Sequence, residues 1–324
     1  MTAAGGNGSQ HWRPTASREM LQRRAALLAR ARSFFAAREV LEVDTPIVIN
    51  APVTDVHIHS ARVLLEQPRY LHTSPEYAMK RLLAAGMGDI YQICHVVRPL
   101  ERGRLHNGEF TLIEWYRLGF SLASLMSEVE ALVRELLDRP GEILKSERLS
   151  YREVFLRTLQ LDPFTAPLAQ LAERARQAGF EAAAADRDEL LELLMGTVIG
   201  PRLGRAGLTF VHGYPASQAA LARLDPDDPR GAQRFELYGE GIELANGFHE
   251  LASAGEQRSR FEHDLEERRR RGLPAASVDE QLLAALEAGL PDCCGVALGF
   301  DRTLMLAAGA ARIDEVLPFP IERA

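Results

Sequence analysis

The chain has 324 residues, of which 46% are hydrophobic and 26% are charged, and its formal net charge is −7. This length and composition allow a large buried core and exclude a chain that is disordered over most of its length. The acidic balance argues mildly against extended contact with a nucleic-acid backbone, because Lys and Arg supply that affinity, although a local basic patch could still provide it.

The chain opens on a polar segment without a targeting signature. Residues 1–10 are rich in Gly, Ser and Asn and lack the basic and apolar regions of a signal peptide, so we expect a flexible tail over residues 1–17. No apolar run approaches the about 20 residues needed to cross a bilayer, and we expect no membrane contact. The cysteines, Cys94 and the adjacent Cys293 and Cys294, lack metal-ligand spacing and rarely pair when adjacent, which indicates a reducing cytoplasm.

The remaining pattern predicts one α+β domain over residues 18–324. In the first half of the chain we predict an amphipathic helix over 18–39, a strand or edge segment over 40–48 around Pro46, a helix over 76–85, strands over 90–97 and 110–116, and a helix over 121–138. In the second half we predict a largely helical stretch over 165–195, strands and turns over 206–250, and a charged helix over 255–271. A Gly-containing strand leading into a helix is predicted over 295–310. The breakers at residues 139–141 open a helical insertion over about 140–205. This order is typical of a mostly antiparallel sheet with flanking helices.

Two glutamates flank the turn-like segment 238–241. If the flanks form a hairpin centred near residue 240, Glu236 and Glu243 become near neighbours on one face, where like charges destabilise a sheet. A cation between the carboxylates relieves that repulsion, and Mg²⁺ commonly takes one or two carboxylates together with substrate phosphates. Two solvated glutamates beside a turn are the alternative for this feature alone.

The link between the strands at 90–97 and 110–116 is rich in arginine. Arg98, Arg102 and Arg104 stand close to His106, and guanidinium groups bind phosphate bidentately and stay charged. In isolation these residues also fit a solvated hairpin loop. The segment 106–116 favours a binding site, because it adds two carboxylates, a phenol and the ring of Phe110 along one strand.

Residues 295–302 read Gly-Val-Ala-Leu-Gly-Phe-Asp-Arg. Small residues in a strand let a ligand or another backbone approach closely. Arg302 opens a helix predicted over 303–308, where the positive end of the helix dipole also favours anions. A packed Gly-rich strand with a surface arginine is the alternative.

Together these segments resemble the class II aminoacyl-tRNA synthetases. Residues 39–46, EVLEVDTP, resemble motif 1, Arg98 with HNGEFTLIEWY resembles motif 2, and GVALGFDR resembles motif 3, with ELANGFHE at 243–250 between the last two. The chain resembles the lysyl-tRNA synthetase catalytic domain and, over nearly its whole length, the short paralogues of that domain, the elongation factor P–(R)-β-lysine ligases.

The resemblance implies a six-stranded antiparallel sheet flanked by helices, and a homodimer with the Pro46 segment at its interface. It also implies an enzyme that adenylates (R)-β-lysine with Mg²⁺ and ATP and passes it to a lysine of elongation factor P. For ATP it implies that Arg98 holds the α-phosphate and Arg302 the γ-phosphate, as the catalytic pair. The other ATP contacts it implies are stacking of Phe110 on adenine, His106 and Asn107 near the nucleotide, and Glu236 and Glu243 on Mg²⁺.

For the amino acid, the resemblance implies a pocket with acidic groups at both ends. Glu76 accepts the amino group beside Ser74, Asn246 meets the carboxylate end, and the distal ammonium contacts are Glu114, Tyr116 and Glu250. This set makes physical sense, since burying either ammonium of a lysine-like substrate without an anionic or hydrogen-bonded partner costs several kcal/mol.

Three positions bear on how closely the family pattern is followed. The family's Arg-x-Glu in motif 2 reads Arg98-Pro99-Leu100-Glu101 here, so we expect Glu101 to replace the usual carboxylate near ATP. Gly108 stands where many relatives have Pro. Ala297 stands where lysyl-tRNA synthetases carry Gly, and one methyl group in a pocket changes discrimination by about 1–3 kcal/mol, which favours β-lysine over α-lysine.

Other functions stay open. Only about 40 residues precede motif 1, too few for an anticodon-binding barrel, so we expect no anticodon-binding domain and no stable tRNA binding. A lysyl-tRNA synthetase-like enzyme that charges tRNA or another acceptor is one alternative, and a catalytically silent regulatory subunit is another. The basic run at 268–271 fits a solvated helix face or a contact with an acidic partner.

Overall fold

The computed structural model describes residues 12–138, 145–181 and 186–324 of the chain. The helices are α1 (Arg18–Ala36), α2 (Glu76–Ala84), α3 (Leu122–Leu137), α4 (Tyr151–Leu159), α5 (Leu168–Gln177), α6 (Arg187–Leu194), α7 (Ala254–Arg270), α8 (Glu280–Gly289) and α9 (Phe300–Ala308). The strands are β1 (Leu41–Glu42), β2 (Val48–Ile49), β3 (Arg62–Leu64), β4 (Pro68–Leu71), β5 (Ile90–Val97), β6 (Glu109–Leu118), β7 (Lys145–Ser150), β8 (Gly207–Pro215), β9 (Gly231–Gly239), β10 (Ile242–His249) and β11 (Cys293–Gly299).

Within the described residues, the main sheet has eight strands in the order β1-β5-β6-β11-β10-β9-β8-β7. The six strands from β5 to β8 in this order pair antiparallel. At the edges, β1 pairs parallel with β5, and β7 pairs parallel with β8. The α+β prediction is confirmed, but the expectation of six antiparallel strands was wrong at both edges, and the sheet is mixed.

The segment around Pro46 does not form one strand. It divides into β1 and β2, and β2 joins β4 and β3 in a separate three-stranded antiparallel sheet. Proline lacks a backbone N–H and cannot donate to a sheet ladder, which explains the break.

Helix α1 packs on the main sheet through its apolar face. The hydroxyl of Ser17 caps the helix by accepting the backbone N–H of Met20 at 3.1 Å. Phe34 and Phe35 are buried, and Phe35 stacks on Tyr91 of β5 with ring centroids 4.2 Å apart. The amphipathic helix predicted here is therefore confirmed.

The start of the chain contacts its end. The backbone N–H groups of Thr15 and Ala16 donate to the carbonyls of Pro318 and Leu317 at 2.9 and 3.2 Å. Residues 1–11 of the expected flexible tail lie outside the described residues.

The stretch expected to hold a helical insertion contains α4, α5 and α6 together with β7. These helices share a core of their own, which includes the buried residues Tyr151, Phe155, Leu171, Leu190 and Leu191. The helical stretch predicted over 165–195 is two helices, since α5 ends at Gln177 and α6 begins at Arg187. The predicted breakers at 139–141 lie outside the described residues.

Helix α7 corresponds to the predicted charged helix. Arg268 is 5% exposed, and its guanidinium donates to the carbonyl of Asp55 at 2.7 Å, so a solvated face was wrong for this residue. Arg269 and Arg270, in contrast, have exposed side chains that pair with glutamates of the same helix. Across the described ranges, none of the helices combines the length and apolar character that crossing a bilayer requires.

Candidate active site

A cavity of about 850 Å³ opens over the centre of the main sheet. Its wall contains the predicted site residues Ser74, Glu76, Arg98, Glu101, His106, Asn107, Phe110, Glu114, Tyr116, Glu243, Asn246, Glu250, Ala297 and Arg302. Glu236 is the predicted site residue that does not line it. Residues distant in sequence therefore meet in one place, as a single binding site requires.

The floor of the cavity is set by the register of three central strands. Ala297 of β11 lies directly opposite Glu114 of β6 on one side and Asn246 of β10 on the other. Directly opposed residues of antiparallel strands share a face, so these three side chains project into the cavity together. The small side chain of Ala297 thus lies between a carboxylate and an amide.

Glu114 occupies the acidic end of the cavity and is 2% exposed. The hydroxyls of Ser74 and Tyr116 donate to its two oxygens at 2.8 and 2.9 Å. Burial, followed by the nearby charge of Glu76, raises the pKa of Glu114 to about 8. A neutral carboxyl group is a weaker acceptor for an ammonium than a carboxylate, so a bound cation favours release of this proton.

Two more carboxylates lie at this end and share a lysine of the chain. The ammonium of Lys80 lies 2.7 Å from Oε1 of Glu76 and 2.7 Å from Oε2 of Glu250. Burial raises the pKa of Glu250 to about 7, although the charge of Lys80 opposes that shift. Sequence reasoning missed Lys80, yet its position four residues after Glu76 on a predicted helix was a usable signal for an ion pair.

Arg98 and Phe110 stand together in the cavity wall. The Arg98 guanidinium donates to the carbonyl of Thr73 at 3.3 Å and lies 5.2 Å from the centre of the Phe110 ring. Its Nη1 also donates to Oε1 of Glu101 at 3.2 Å. The carboxylate that lies one position later than in the family pattern therefore reaches the motif 2 arginine.

Arg302 lies in the first turn of α9, which begins at Phe300 rather than at 303 as predicted. Its guanidinium donates to the backbone carbonyl of Glu243 at 3.0 Å and contacts Nε2 of His106 at 2.6 Å. Burial, and then the positive charge of Arg302, lower the pKa of His106. A neutral imidazole accepts this bond, so His106 orients the guanidinium without repelling it.

Strands β9 and β10 form the predicted hairpin, but its register differs from the expectation. Glu243 lies opposite Tyr238, and Glu236 lies opposite Asn246, with a register shift between residues 243 and 245. The two glutamates are therefore diagonal neighbours on one face. Irregular pairing of this kind leaves no pattern in the sequence that reveals it.

The two glutamates of the hairpin also differ in their surroundings. Glu236 is 8% exposed, and its oxygens accept hydrogen bonds from Tyr214, Tyr238 and Arg234 at 2.5–2.6 Å. The Glu243 side chain is 42% exposed, and its exposed surface faces the cavity. Loss of hydration between the cavity walls, followed by the charge of Glu236, raises the pKa of Glu243.

These surroundings decide which carboxylates suit Mg²⁺. Within the described ranges, no group of three or more His, Cys, Asp or Glu side chains is arranged to hold a metal ion. Mg²⁺ bound with a nucleotide needs only one or two protein carboxylates, because phosphates supply the other ligands. Glu243 fits this requirement, whereas Glu236 lies behind it in a network of hydrogen bonds.

Two further polar residues hold the cavity wall in place. Both ends of the Asn107 amide are engaged by backbone, because Nδ2 donates to the carbonyl of Glu109 at 2.5 Å and Oδ1 accepts the N–H of Ile321 at 3.0 Å. Arg234, which sequence reasoning missed, donates to Glu236 at 2.6 Å and to Oδ1 of Asn246 at 3.3 Å. The sequence alone carries no evident signal for Arg234.

The chain is similar to known proteins over nearly its whole length. The family model described as tRNA synthetases class II (D, K and N) matches residues 8–323. The chain is 49% identical over 323 residues to elongation factor P–(R)-β-lysine ligase of Klebsiella pneumoniae subsp. pneumoniae, a match that covers 97% of this chain and 98% of that protein. Proteins of the same name from Salmonella typhi and Salmonella arizonae are 48% and 47% identical, and these matches also cover 97% of this chain and 98% of each protein.

Proposed function

This chain belongs to the class II tRNA synthetase family (D, K and N), and we propose on that basis that it is an ATP-dependent ligase that adenylates (R)-β-lysine and transfers it to a lysine side chain of elongation factor P. The observation that carries the proposal is one cavity lined both by three carboxyl groups, Glu76, Glu114 and Glu250, and by two arginines, Arg98 and Arg302. The relatives of nearly equal length that bear this name support the same substrate and acceptor.

The acidic end suits a substrate with two ammonium groups. Glu76 receives the amino group near the reacting carboxylate, and the distal ammonium contacts Glu114, Tyr116 and Glu250. Asn246 binds the carboxylate end, held in place by the hydrogen bond from Arg234. Buried ammonium groups need such anionic partners, because the loss of hydration otherwise exceeds any gain from burial.

The arginine end suits the triphosphate of ATP. Arg98 contacts the α-phosphate, Arg302 contacts the γ-phosphate, and Phe110 stacks on adenine beside Glu101, His106 and Asn107. Glu243, with Glu236 behind it, holds Mg²⁺, which supplies positive charge to the phosphates when bound.

The reaction has two steps. The substrate carboxylate attacks the α-phosphorus, a new P–O bond forms, and pyrophosphate leaves with its electron pair. Arg98 and Arg302 stabilise the charge that develops on the phosphates, and neither acts as an acid or base because guanidinium keeps its protons. In the second step the amine of the acceptor lysine attacks the adenylate carbonyl, which forms an amide and releases AMP.

The methyl group of Ala297 supports β-lysine as the substrate. It lies between Glu114 and Asn246 on the cavity floor, beneath the carbons that join the two ends of the substrate. In β-lysine the amino group stands one carbon further along, so the two isomers place their chains differently over this methyl. Such a contact discriminates by about 1–3 kcal/mol.

The proposed assembly and location are inferred from the resemblance to this family. We infer a homodimer in the cytoplasm, joined through the segment around Pro46. The exposed side chains of Leu41, Ile47 and Val48 support an interface there, with exposures of 52%, 41% and 36%. We expect no stable binding of tRNA.

Two other functions are distinguishable from this one. A catalytically silent subunit does not need charged groups aimed into a cavity, whereas Arg98, Arg302 and Glu243 all line one here. An enzyme that charges tRNA with lysine shares the adenylation chemistry, so the acceptor and the amino acid distinguish it from the proposed ligase.

The decisive experiment is to incubate the protein with elongation factor P, ATP and (R)-β-lysine, and then to weigh the factor by mass spectrometry. We expect a gain of one β-lysyl residue on the factor, and ATP–pyrophosphate exchange that is faster with (R)-β-lysine than with α-lysine. Equal or reversed preference contradicts the assignment of β-lysine. Transfer to tRNA in place of the factor contradicts the assignment of the acceptor.

A matched inactive variant controls this experiment. Glu243→Ala is expected to abolish exchange while the protein stays folded, because a partly exposed cavity carboxylate is removed. Near-normal exchange by this variant contradicts the proposed role of Glu243 in holding Mg²⁺.

A further inference from the structure

Lys80 is a buried lysine to which the proposed reaction gives no role. It lies on α2, is 1% exposed, and contacts Glu76 and Glu250 through its ammonium. Burial alone lowers the pKa of a lysine, but the charges of Glu250 and Glu76 outweigh burial and raise the pKa of Lys80 above its usual value. Lys80 is therefore a permanent cation beside the acidic end of the cavity.

The partners of Lys80 are two carboxylates that the proposed substrate also needs. Glu76 lies in the first turn of α2, one helical turn before Lys80, while Glu250 directly follows β10. Each carboxylate places one oxygen at Lys80 and lines the cavity, and the backbone of Gly295 also contacts the Glu250 carboxylate. One ammonium thus fixes the relative position of two groups that come from separate elements.

The local charge balance depends on this lysine. Once a bound diamine has displaced the proton of Glu114, the three carboxylates and Lys80 carry a formal net of two negative charges, which the two ammonium groups of the diamine neutralise. Without Lys80, three negative charges would exceed the two positive charges of the substrate. Glu250, whose pKa stands at about 7 even beside Lys80, would then take up a proton and lose its value as an ammonium acceptor.

We propose that Lys80 is a positioning residue that ties Glu76 and Glu250 together in the absence of substrate and thereby sets the cavity to take a substrate with two ammonium groups. The proposal rests on the function proposed above. It assigns to Lys80 no contact with the reacting atoms, so its effect falls on amino-acid binding rather than on ATP or the rate of adenylation.

The test compares Lys80→Met with a matched control, Arg81→Met, which removes an equal charge from the next, exposed position of α2. ATP–pyrophosphate exchange is measured with (R)-β-lysine, or with α-lysine if the wild type prefers it. For Lys80→Met we expect KM for the amino acid to rise about tenfold or more, with KM for ATP and kcat within about twofold of wild type. Arg81→Met is expected to match the wild type.

The outcomes separate the two proposals. If the wild type catalyses exchange and Lys80→Met has an unchanged KM for the amino acid, the proposed role of Lys80 is wrong and the proposed function still stands. Equal losses in kcat and in both KM values also overturn it, because they indicate general damage to the fold. A wild type that exchanges with neither amino acid overturns the proposed function and this proposal with it.

A second pair of variants covers the case in which Lys80→Met does not fold. Replacing both members of a buried ion pair is tolerated better than removing one, so Lys80→Met/Glu250→Gln is compared with Glu250→Gln alone. Because the tie between the two carboxylates is already broken in Glu250→Gln, we expect the further loss of Lys80 to change the amino-acid KM by no more than about threefold. A further loss beyond about threefold in the double variant overturns the proposal.

Discussion

Glu114 shows how one side chain couples the cavity to pH. Its carboxyl group is buried against Tyr116 and Ser74, and burial together with the charge of Glu76 raises its pKa to about 8. The same group in the unfolded chain titrates near 4.5. Between these two values the folded protein holds a proton that the unfolded chain has released.

The sign of the resulting effect on stability follows from proton linkage. Where the folded state binds more protons than the unfolded state, the free energy of unfolding falls as pH rises. Glu114 therefore reduces stability progressively from near pH 4.5 to about pH 8, the interval between its two pKa values. We expect Glu114→Gln, which cannot ionise, to gain stability relative to wild type as pH rises.

Thermal unfolding of both proteins at pH of about 5 and about 9 measures this difference. The quantity to compare is how the difference between the two unfolding temperatures changes with pH. Any effect of glutamine on packing is the same at both pH values and therefore cancels. Parallel curves for the two proteins would mean that Glu114 is ionised in the folded protein throughout this range.

At this scale, the residues that sequence reasoning found and those it missed differ in kind. Arg98, Glu114 and Arg302 stand in motifs whose order along the chain was recognisable, and all three line the cavity. Lys80 and Arg234 act through partners whose proximity depends on the fold, such as Glu250 and Asn246. Their importance is a property of tertiary contacts, which a single sequence does not display.

At the scale of elements, strand β11 has a close approach that only glycine permits. A Cβ atom at Gly295 would lie 2.3 Å from Cε1 of Tyr116 and 2.4 Å from Oε1 of Glu250. Both contacts are far shorter than van der Waals distance, and Gly295 lies opposite Tyr116 in the central pairing of β11 with β6. Gly295 thus allows the phenol and the carboxylate to meet over the strand.

We expect Gly295→Ala to lower the free energy of unfolding by about 1–3 kcal/mol, as overpacking of a tight core does. It should also raise KM for the amino acid, because Tyr116 and Glu250 must move. Urea unfolding and exchange assays measure the two effects. Gly255→Ala is the control, since a Cβ there has no atom within 4 Å and alanine favours the helix.

If Gly295→Ala had wild-type stability and a wild-type KM for the amino acid, the methyl group would fit beside Tyr116 and Glu250. This result would contradict the claim that only glycine fits at this position. Loss of stability in Gly255→Ala to the same extent would point to a general sensitivity to substitution.

The elements themselves were predictable to different degrees. The strand predicted over 90–97 coincides with β5, because a run of β-branched and aromatic residues marks it. Strand β7 reads Lys-Ser-Glu-Arg-Leu-Ser and has one apolar residue, Leu149, so its composition gave no strand signal. Its strand character comes from its parallel pairing with β8 at the edge of the sheet, which overrides local propensity.

At the scale of the whole molecule, the ATP end of the cavity depends on contacts between the two ends of the chain. The first residues of the described chain bond to its last segment through Thr15 and Pro318, and Asn107 bonds to Ile321. Arg24 of α1 pairs with Asp301 of α9 and donates to Thr111 of β6 at 2.7 Å. These contacts join the helix that carries Arg302 to the strand that carries Phe110.

We expect Arg24→Met to lower the free energy of unfolding by about 3 kcal/mol or more, because it leaves the buried carboxylate of Asp301 without its cation. The side chains of Arg24 and Asp301 are only 13% and 1% exposed. Arg30→Met on the same helix is the control, since Arg30 and Asp138 are 35% and 50% exposed and such surface pairs contribute about 0–1 kcal/mol.

Urea unfolding measures the free energy of unfolding of the two variants. The KM values for ATP and for the amino acid show whether a change is confined to the ATP site or affects the whole cavity. Loosening of α9 against β6 should raise KM for ATP more than KM for the amino acid. Arg302 and Phe110 lie beside the Arg24 contacts, whereas Glu114 lies further along β6 and Glu250 directly follows β10. Adding Asp301→Asn to Arg24→Met should recover part of the lost stability, since it removes the unpaired charge. If the two single variants were equally stable, the pair between Arg24 and Asp301 would behave as a surface ion pair. Contacts between the ends of the chain would then not stabilise the ATP site.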